Sequence, residues 1–435
     1  MRRIAVVGSG IAGLAVAHGL AGIAQVTLFE AGSHFGGHTN TVDLTLDGVT
    51  HGVDTGFLVL NERTYPRLLA LFSELGVEIA PSQMSFSVQA PGLEWSGNSL
   101  NSVFAQRRNL GSPRFWRMLR DLLRFNRITT ALAVAGHADA LDQPIDAFLA
   151  EHRFGAEFRD WYFLPMIGCI WSCPVDQMLR FPVATLIRFC HNHGLLQIAN
   201  RPQWFTVRGG ARNYVRKMLR AVPDARLNAP VQRVYRNVRH GACAGAWVVT
   251  AAGPQRFDEV VLACHSDQAL ALLAEPTPDE QAVLGAIRYQ PNRAVLHTDT
   301  TLLPRRRRAW AAWNYQRAEG ADREAAAVCL HYWLNVLQPL PFSTPVIVSL
   351  NPHVEPRAAT VHAEFEYAHP VFDRDAIAAQ QRLPALQGLH STWFCGAWTR
   401  HGFHEDGLVS GLAVRDALRE RLASGDADSR APEAA

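Results

Sequence analysis

A chain of 435 residues, 48% hydrophobic and 19% charged, is ordinary globular material, long enough for two domains or for one domain with a large insertion. Its net charge of +3 is too slight to imply a nucleic-acid partner, and no uninterrupted run reaches the roughly 18–20 apolar residues that a membrane-spanning helix needs. The seven cysteines (Cys169, Cys173, Cys190, Cys243, Cys264, Cys329 and Cys395) are odd in number and scattered, which argues against a disulfide framework and for a reducing, cytoplasmic compartment.

Two arginines before an apolar run give the N-terminus the look of a secretory signal, but the glycines that follow point elsewhere. In "RIAVVGSGIAGLAVAHGL" the run Ile4 to Val7 suits a buried parallel strand. Gly8, Gly10 and Gly13 follow in G-x-G-x-x-G spacing, with Ile11 and Ala12 opening a helix that Leu14, Ala17 and His18 continue. Gly8 permits the tight turn, Gly10 lets the backbone approach a pyrophosphate, and Gly13 lets helix and strand pack closely. The helix N-terminus offers free N–H groups to the phosphates. The next strand, "QVTLFE", ends at Glu30, where a carboxylate can accept hydrogen bonds from a ribose. A lone glycine motif is weak and also fits a βα turn without a ligand. Strand, glycines, helix, strand and terminal acid in register predict a dinucleotide site.

After Ala31 the loop "GSHFGGHTNTV" carries Gly36, Gly37 and His38, placed to cover the pyrophosphate and ribityl side. "HGVDTGFLVLN" supplies a further strand and sets Gly56 and Phe57 beside a candidate flavin edge. Residues from about 82 to 200 are rich in helical patterning. Within them "PRFWRMLRDLLRFNR" places Arg114, Arg117, Arg120, Arg124 and Arg127 on one helical side and Phe115, Trp116, Leu119, Leu122 and Leu123 on the other. Such a helix can lie at a lipid interface, or pack on its own domain with solvated arginines. Cys169 and Cys173 read as core residues of a helical turn. "WFTVRGGARNYVRKML" predicts strand end, glycine turn and helix, and "FDEVVLAC" another buried strand. From 266 to 385 strands and loops predominate, as in "RAVLHTD" and "TPVIVSLNP".

Near the C-terminus, "STWFCGAWTRHGFHEDGLVSGLAVRDAL" predicts a strand ending at Phe394 and Cys395, a loop opened by Gly396, and a helix begun by Asp406, Gly407 and Leu408. His401 and His404 stand three apart on a loop without further ligands, so no metal site is expected. Asp406 suits a helix N-cap or a first-turn acid. Glu405 suits the same role or a contact to ribityl hydroxyls. His401, Phe403 and His404, with Trp398, are left to face the reaction, although each histidine equally suits plain packing. A neutral imidazole can accept a proton near pH 7, which makes His401 or His404 the first candidate base. Residues 424–435 predict a disordered tail.

Glu30 followed by Gly36-Gly37 resembles the flavin amine oxidase superfamily. "GGHTNTV", "DTGFLVLNERTYPRLLALFSELGVE", "MSFSV" and "FAQRRNLGSPRFWRMLRDLLRF" more closely resemble the oxidoreductase-like domain that precedes the methyltransferase domain in plant cyclopropane fatty acid synthases, and its free-standing bacterial relatives. The resemblance covers most of residues 1 to 420. It implies an α/β fold: a Rossmann-like FAD-binding domain of the GR2 type with an inserted mixed helix/sheet substrate domain. The implied boundaries are 1–81, 201–265 and 386–423 for the FAD domain, and 82–200 with 266–385 for the substrate domain. It also implies that Gly209-Gly210 marks the return to the FAD domain, that Val231 gives a backbone contact to adenine, and that the helix after Gly396 points at the flavin's pyrimidine side.

The sequence departs from the superfamily pattern in three places. Ala397 and Trp398 follow Gly396 where an acid is usual. The usual lysine near the flavin has no match, since Lys217 is the only lysine and lies elsewhere; Arg293 stays protonated and is no base. Phe403 approximately matches the tyrosine of the amine-binding cage and lacks its hydroxyl. With no second glycine motif, electrons are expected from the substrate itself, with an outside acceptor or oxygen reoxidising the flavin. The leading expectation is an FAD-dependent oxidoreductase that removes a hydride from an apolar substrate or lipid acyl chain, by desaturation or isomerisation. It would be cytoplasmic, with peripheral contact at the inner membrane surface and a lipid methyltransferase as partner. The alternatives are an amine oxidase and a non-catalytic flavoprotein.

Overall fold

The computed structural model describes residues 1–136, 141, 143–197, 201–236, 245–320 and 326–424. The expected tail, apart from Ser424, and Cys243 lie outside the described residues.

Five parallel strands form the sheet that positions the site, in the order Asp224–Arg226, Gln25–Phe29, Arg3–Val7, Glu259–Leu262 and Thr392–Phe394. Ile4 to Val7, Val26 to Phe29 and Glu259 to Leu262 are buried along their whole length. A strand covered on both faces takes a continuous apolar run rather than an alternating one, which is why these segments read clearly in the sequence. The sheet draws on four distant stretches of chain, so the two ends fold against each other. The helix Ile11–Leu20 joins the first two strands, and the final helix His404–Ala423 packs on it. Small residues allow this approach. A Cβ on Gly411 would lie 2.3 Å from the Ala12 carbonyl oxygen, and one on Gly407 2.9 Å from Ile11 Cγ2.

A second, seven-stranded sheet runs Val361–Val371, Arg288–His297, Ile347–Leu350, Cys329–Trp333, Trp313–Gln316, Phe86–Ala90 and Leu93–Ser96. Its last two strands correct the helical reading of the segment from 82. They form a hairpin with Ala90 opposite Leu93 across Pro91-Gly92, a turn signal that the helical periodicity further along obscured. Helices then cover this sheet. Phe115, Met118, Phe125, Phe158, Phe163, Ile167 and Phe189 join its inner face in the largest core.

The helix Pro113–Val134 starts with Pro113 at its first position, and the Ser112 hydroxyl accepts from Phe115 N. It buries Phe115, Met118, Asp121, Phe125 and Thr129. The division read from the sequence is therefore rotated: Trp116 and Leu123 point outward, not inward. Cys169 and Cys173 are buried, free thiols, and burial raises the pKa of both.

Candidate active site

The glycine loop has the geometry of a phosphate cradle. Gly8 has φ +103°, and a Cβ there would lie 2.8 Å from the Ala263 carbonyl oxygen, so only glycine fits without strain. A Cβ on Gly13 would lie 1.9 Å from the Gly8 oxygen, which is the close helix–strand packing expected of the third glycine. Around Gly10, by contrast, a Cβ would meet nothing within 4 Å. Gly10 caps the helix Ile11–Leu20 with no side-chain hydrogen bond, so the first-turn N–H groups have no side-chain cap. Gly37 lies over this opening, its ideal Cβ position 3.2 Å from Gly10 Cα.

Ser9 ties the cradle together. Glu30 Oε2 accepts from Ser9 N at 3.0 Å and from Ser9 Oγ at 2.5 Å, and Glu30 Oε1 accepts from Gly32 N at 2.8 Å. Ser9 Oγ in turn accepts from Gly36 N at 3.1 Å. A carboxylate has about four acceptor positions, so Glu30, held in place by these bonds, keeps capacity for a ribose hydroxyl. Ala31 is exposed beside it, and Val231 is half-buried against a separate core with Phe29 and Val234.

Four histidines gather at the far end of this cradle. The ring centroid of His38 is 5.0 Å from that of Tyr367, 5.5 Å from His369 and 6.1 Å from His265. His265 stacks on Tyr289 at 4.4 Å, and Asn292 Nδ2 donates to His369 Nδ1 at 3.2 Å. His404 stacks on Phe57 at 3.9 Å, and its Nε2 lies 2.8 Å from the Tyr214 hydroxyl, which is 2.6 Å from Thr39 Oγ1. Tyr367 pins the two cofactor-side loops by bonding Thr55 Oγ1 at 2.8 Å and Asn40 Nδ2 at 3.1 Å. Burial, reinforced by neighbouring imidazoles, lowers His38 and His265 to about 4 and His369 and His404 to about 3. All four are neutral at pH 7. His38 Nε2 is buried without a protein partner, a polar atom that calls for one.

The structure rearranges the sequence-derived site. His404 belongs to the cluster; His401 is exposed in the preceding turn and has no part in the ring contacts that gather the others. Trp398 is 2% exposed, with Nε1 donating to the Cys264 carbonyl at 3.1 Å, so it is a packing residue rather than one facing a reaction. It also accounts for Gly396, where a Cβ would lie 2.5 Å from the indole nitrogen. The last helix begins at His404, not Asp406. Asp406 is a first-turn acid whose Oδ2 accepts from Phe403 N at 3.0 Å. Glu405 does not turn to the ribityl side: it accepts from Arg67 N at 2.8 Å and Leu68 N at 2.9 Å, capping the helix Pro66–Leu75.

Leu408 is fully buried in the core around the parallel sheet. Gly56 is fixed by the approach of the His38 carbonyl, 2.2 Å from its ideal Cβ position. Phe403 stacks on Phe189 at 4.8 Å, joining the cradle end to the large apolar core. Lys217 Nζ binds the Leu75 and Gly76 carbonyls, and Arg293 is paired with Glu355 and Glu364.

His265, Tyr367, His369 and Tyr214 were not singled out by sequence reading. Two had a signal. His265 follows the C-terminal end of a parallel strand, where such sheets bind ligands. Phe365, Tyr367 and His369 alternate with Glu364, Glu366 and Ala368 along one strand, a two-residue period that points them to one face.

Among the described residues no group of three or more His, Cys, Asp or Glu side chains is arranged to hold a metal. The residues do fit FAD: an uncapped helix N-terminus beside an open glycine, and a carboxylate with spare acceptor capacity.

Comparison with known proteins agrees. The family model for flavin containing amine oxidoreductases matches residues 11–325. No curated protein matches the chain. Among solved structures, a CLA-producing fatty acid isomerase from P. acnes is 16% identical with a TM-score of 0.65, covering 96% of this chain and 98% of that one. Cyclohexylamine oxidase from Brevibacterium oxydans IH-35A is 17% identical with a TM-score of 0.66, and putrescine oxidase bound to putrescine 16% identical with a TM-score of 0.64, each covering 97% of this chain and 99% of its own. The chain belongs to the flavin-containing amine oxidoreductase family and is an FAD-dependent oxidoreductase.

Proposed function

We propose that this enzyme removes a hydride from a lipid acyl chain, desaturating or isomerising it. The observation that carries this reading is the wall of the site, where uncharged imidazoles meet an aromatic surface that runs through Phe403 and Phe189 into the largest core. The four histidines bond or stack with uncharged groups: Tyr214, Phe57, Asn292, Tyr289 and Tyr367. An apolar chain loses little on entering such a surface, whereas an alkylammonium ion must first be neutralised. The sequence resemblance to cyclopropane synthase-associated domains and the fold shared with a fatty acid isomerase support the same substrate class. That resemblance also makes a lipid methyltransferase the natural partner.

Bound FAD supplies the hydride acceptor. The chain's own residues hold it, exclude water and manage the proton. When desaturation takes a hydride from one carbon, its neighbour loses a proton as the double bond forms. In this reading His38 Nε2, buried and unpartnered, accepts that proton, and burial keeps it neutral for the task. This role passes to His38 from His401 and from His404, whose Nε2 is already engaged with Tyr214.

Amine oxidation is the second reading, favoured by the family match. Against it stand Phe403 in the place of a cage tyrosine and Lys217, held at the end of the helix Pro66–Leu75.

Anaerobic mixing of the oxidised holoenzyme with unsaturated phospholipid, with amines, or with neither separates these readings. Lipid should bleach the flavin or emerge with a displaced double bond, and His38→Leu should slow that change about 100-fold or more while retaining FAD. Bleaching by amines alone would establish the second reading instead.

A further inference from the structure

The outer face of the helix Pro113–Val134 carries features the catalytic site does not use. Its 22 residues make a rod about 33 Å long. At 100° per residue, Trp116, Arg120, Leu123, Arg127 and Val134 fall on one stripe about 60° wide, spanning about 27 Å, with no acidic side chain among them. The stripe faces solvent: Trp116 is 50% exposed, Leu123 53% and Val134 74%. The opposite side is committed to the core through Phe115, Met118, Phe125 and Thr129. Arg114 and Arg117, on the flank, are paired with Glu157 at 2.8 and 3.0 Å. Arg120 lies 3.6 Å from Asp121, yet its side chain is largely exposed.

Trp116 is held in its outward position. Its Nε1 donates to the Leu110 carbonyl at 2.9 Å, and its ring lies 5.4 Å from that of Phe104. Leu110, exposed itself, extends the stripe at its N-terminal end. A fixed, half-exposed indole, two aliphatic side chains in line with it, and arginines interleaved on the same face match the interface of an anionic bilayer. The indole and aliphatic tips enter the headgroup boundary while the guanidinium groups meet phosphates. Among the described residues no helix is long and apolar enough to cross a membrane, so contact through this helix would be peripheral.

We propose that this stripe docks the enzyme on an anionic phospholipid surface. The proposal extends the acyl-chain reading by naming where the enzyme meets its substrate's source. Binding is read without turnover, so the two claims fail separately. The test is co-sedimentation of the FAD-loaded enzyme with phosphatidylcholine vesicles, with and without phosphatidylglycerol. Two double variants accompany it, Trp116→Ser with Leu123→Ser and Arg120→Gln with Arg127→Gln. All four positions are solvent-facing, and retained flavin and an unchanged melting temperature verify the fold.

The expected result is binding that needs phosphatidylglycerol, falls with salt, and weakens roughly tenfold or more in each double variant. Three results would overturn it: no sedimentation of the wild type at any phosphatidylglycerol content, equal binding to phosphatidylcholine alone, or variants that bind as the wild type does. A concentration-dependent dimer that Trp116→Ser with Leu123→Ser dissociates, without vesicle binding, would instead assign the stripe to a second copy of the chain.

Discussion

Two glycines three residues apart make opposite predictions. Gly10 faces open space and has ordinary extended backbone, φ −60° and ψ 173°, so Gly10→Val should leave the apoprotein's melting temperature unchanged while filling the approach to the phosphates. FAD affinity should drop at least roughly tenfold, the equivalent of about 1.4 kcal/mol. Gly13→Ala puts a methyl group 1.9 Å from a backbone oxygen and should cost about 1–3 kcal/mol of folding stability before any cofactor is added. Thermal melts with and without FAD separate the two; equal behaviour would mean the cradle is misplaced. The glycine spacing was legible because Gly8 and Gly13 meet backbone that only glycine can approach, while Gly10 keeps the way to the phosphates clear. The acid/base residues were less so. A histidine's role depends on which rings surround it, and His38, His265 and His369 come from three distant segments. His404 and His401 look alike in sequence, yet one stacks on Phe57 and the other stands partly exposed in the turn before the helix.

Secondary elements were readable where burial is uniform and ambiguous where it is divided. The parallel strands show as short apolar runs because both faces are covered. The long helix Pro113–Val134 was legible as a helix, but its buried face was not, because apolar residues occur on both sides and polar Asp121 and Asn126 are buried. The start of the last helix was placed two residues late for a similar reason: both of its acids suit a cap, but Glu405 caps a different helix. Glu405→Ala should remove the acceptor for Arg67 N and Leu68 N and destabilise the protein by about 0.5–2 kcal/mol. Urea unfolding measures this. No loss would show that the two N–H groups are satisfied by water.

Seven imidazoles among the described residues are held neutral by desolvation. His38, His193, His265, His297, His331, His369 and His404 are all lowered by burial from 6.5 to about 3 or 4. For such a group the unfolded chain binds more protons than the native one between its native pKa and 6.5, so its contribution is complete above 6.5 and is lost as pH falls toward 4. Asp54, raised by burial to about 6, acts in the opposite sense: its contribution declines as pH rises from 3.8 to about 6. Seven histidines outweigh it, so the apoprotein should melt at a lower temperature at about pH 5 than at about pH 7. An equal or higher melting point in acid would contradict the neutral cluster. At this scale the shared sheet, with Phe86–Ala90 beside Trp313–Gln316, could not be read from the sequence, since pairing between segments more than 200 residues apart leaves no local mark. The most direct measurement of the proposed chemistry is mass analysis of the acyl chains after incubating the holoenzyme with phospholipid deuterated along its chains. The account predicts chains that have lost two deuterium atoms or carry the double bond at a new position. Chains recovered unchanged, while an added amine is converted to its aldehyde, would contradict it.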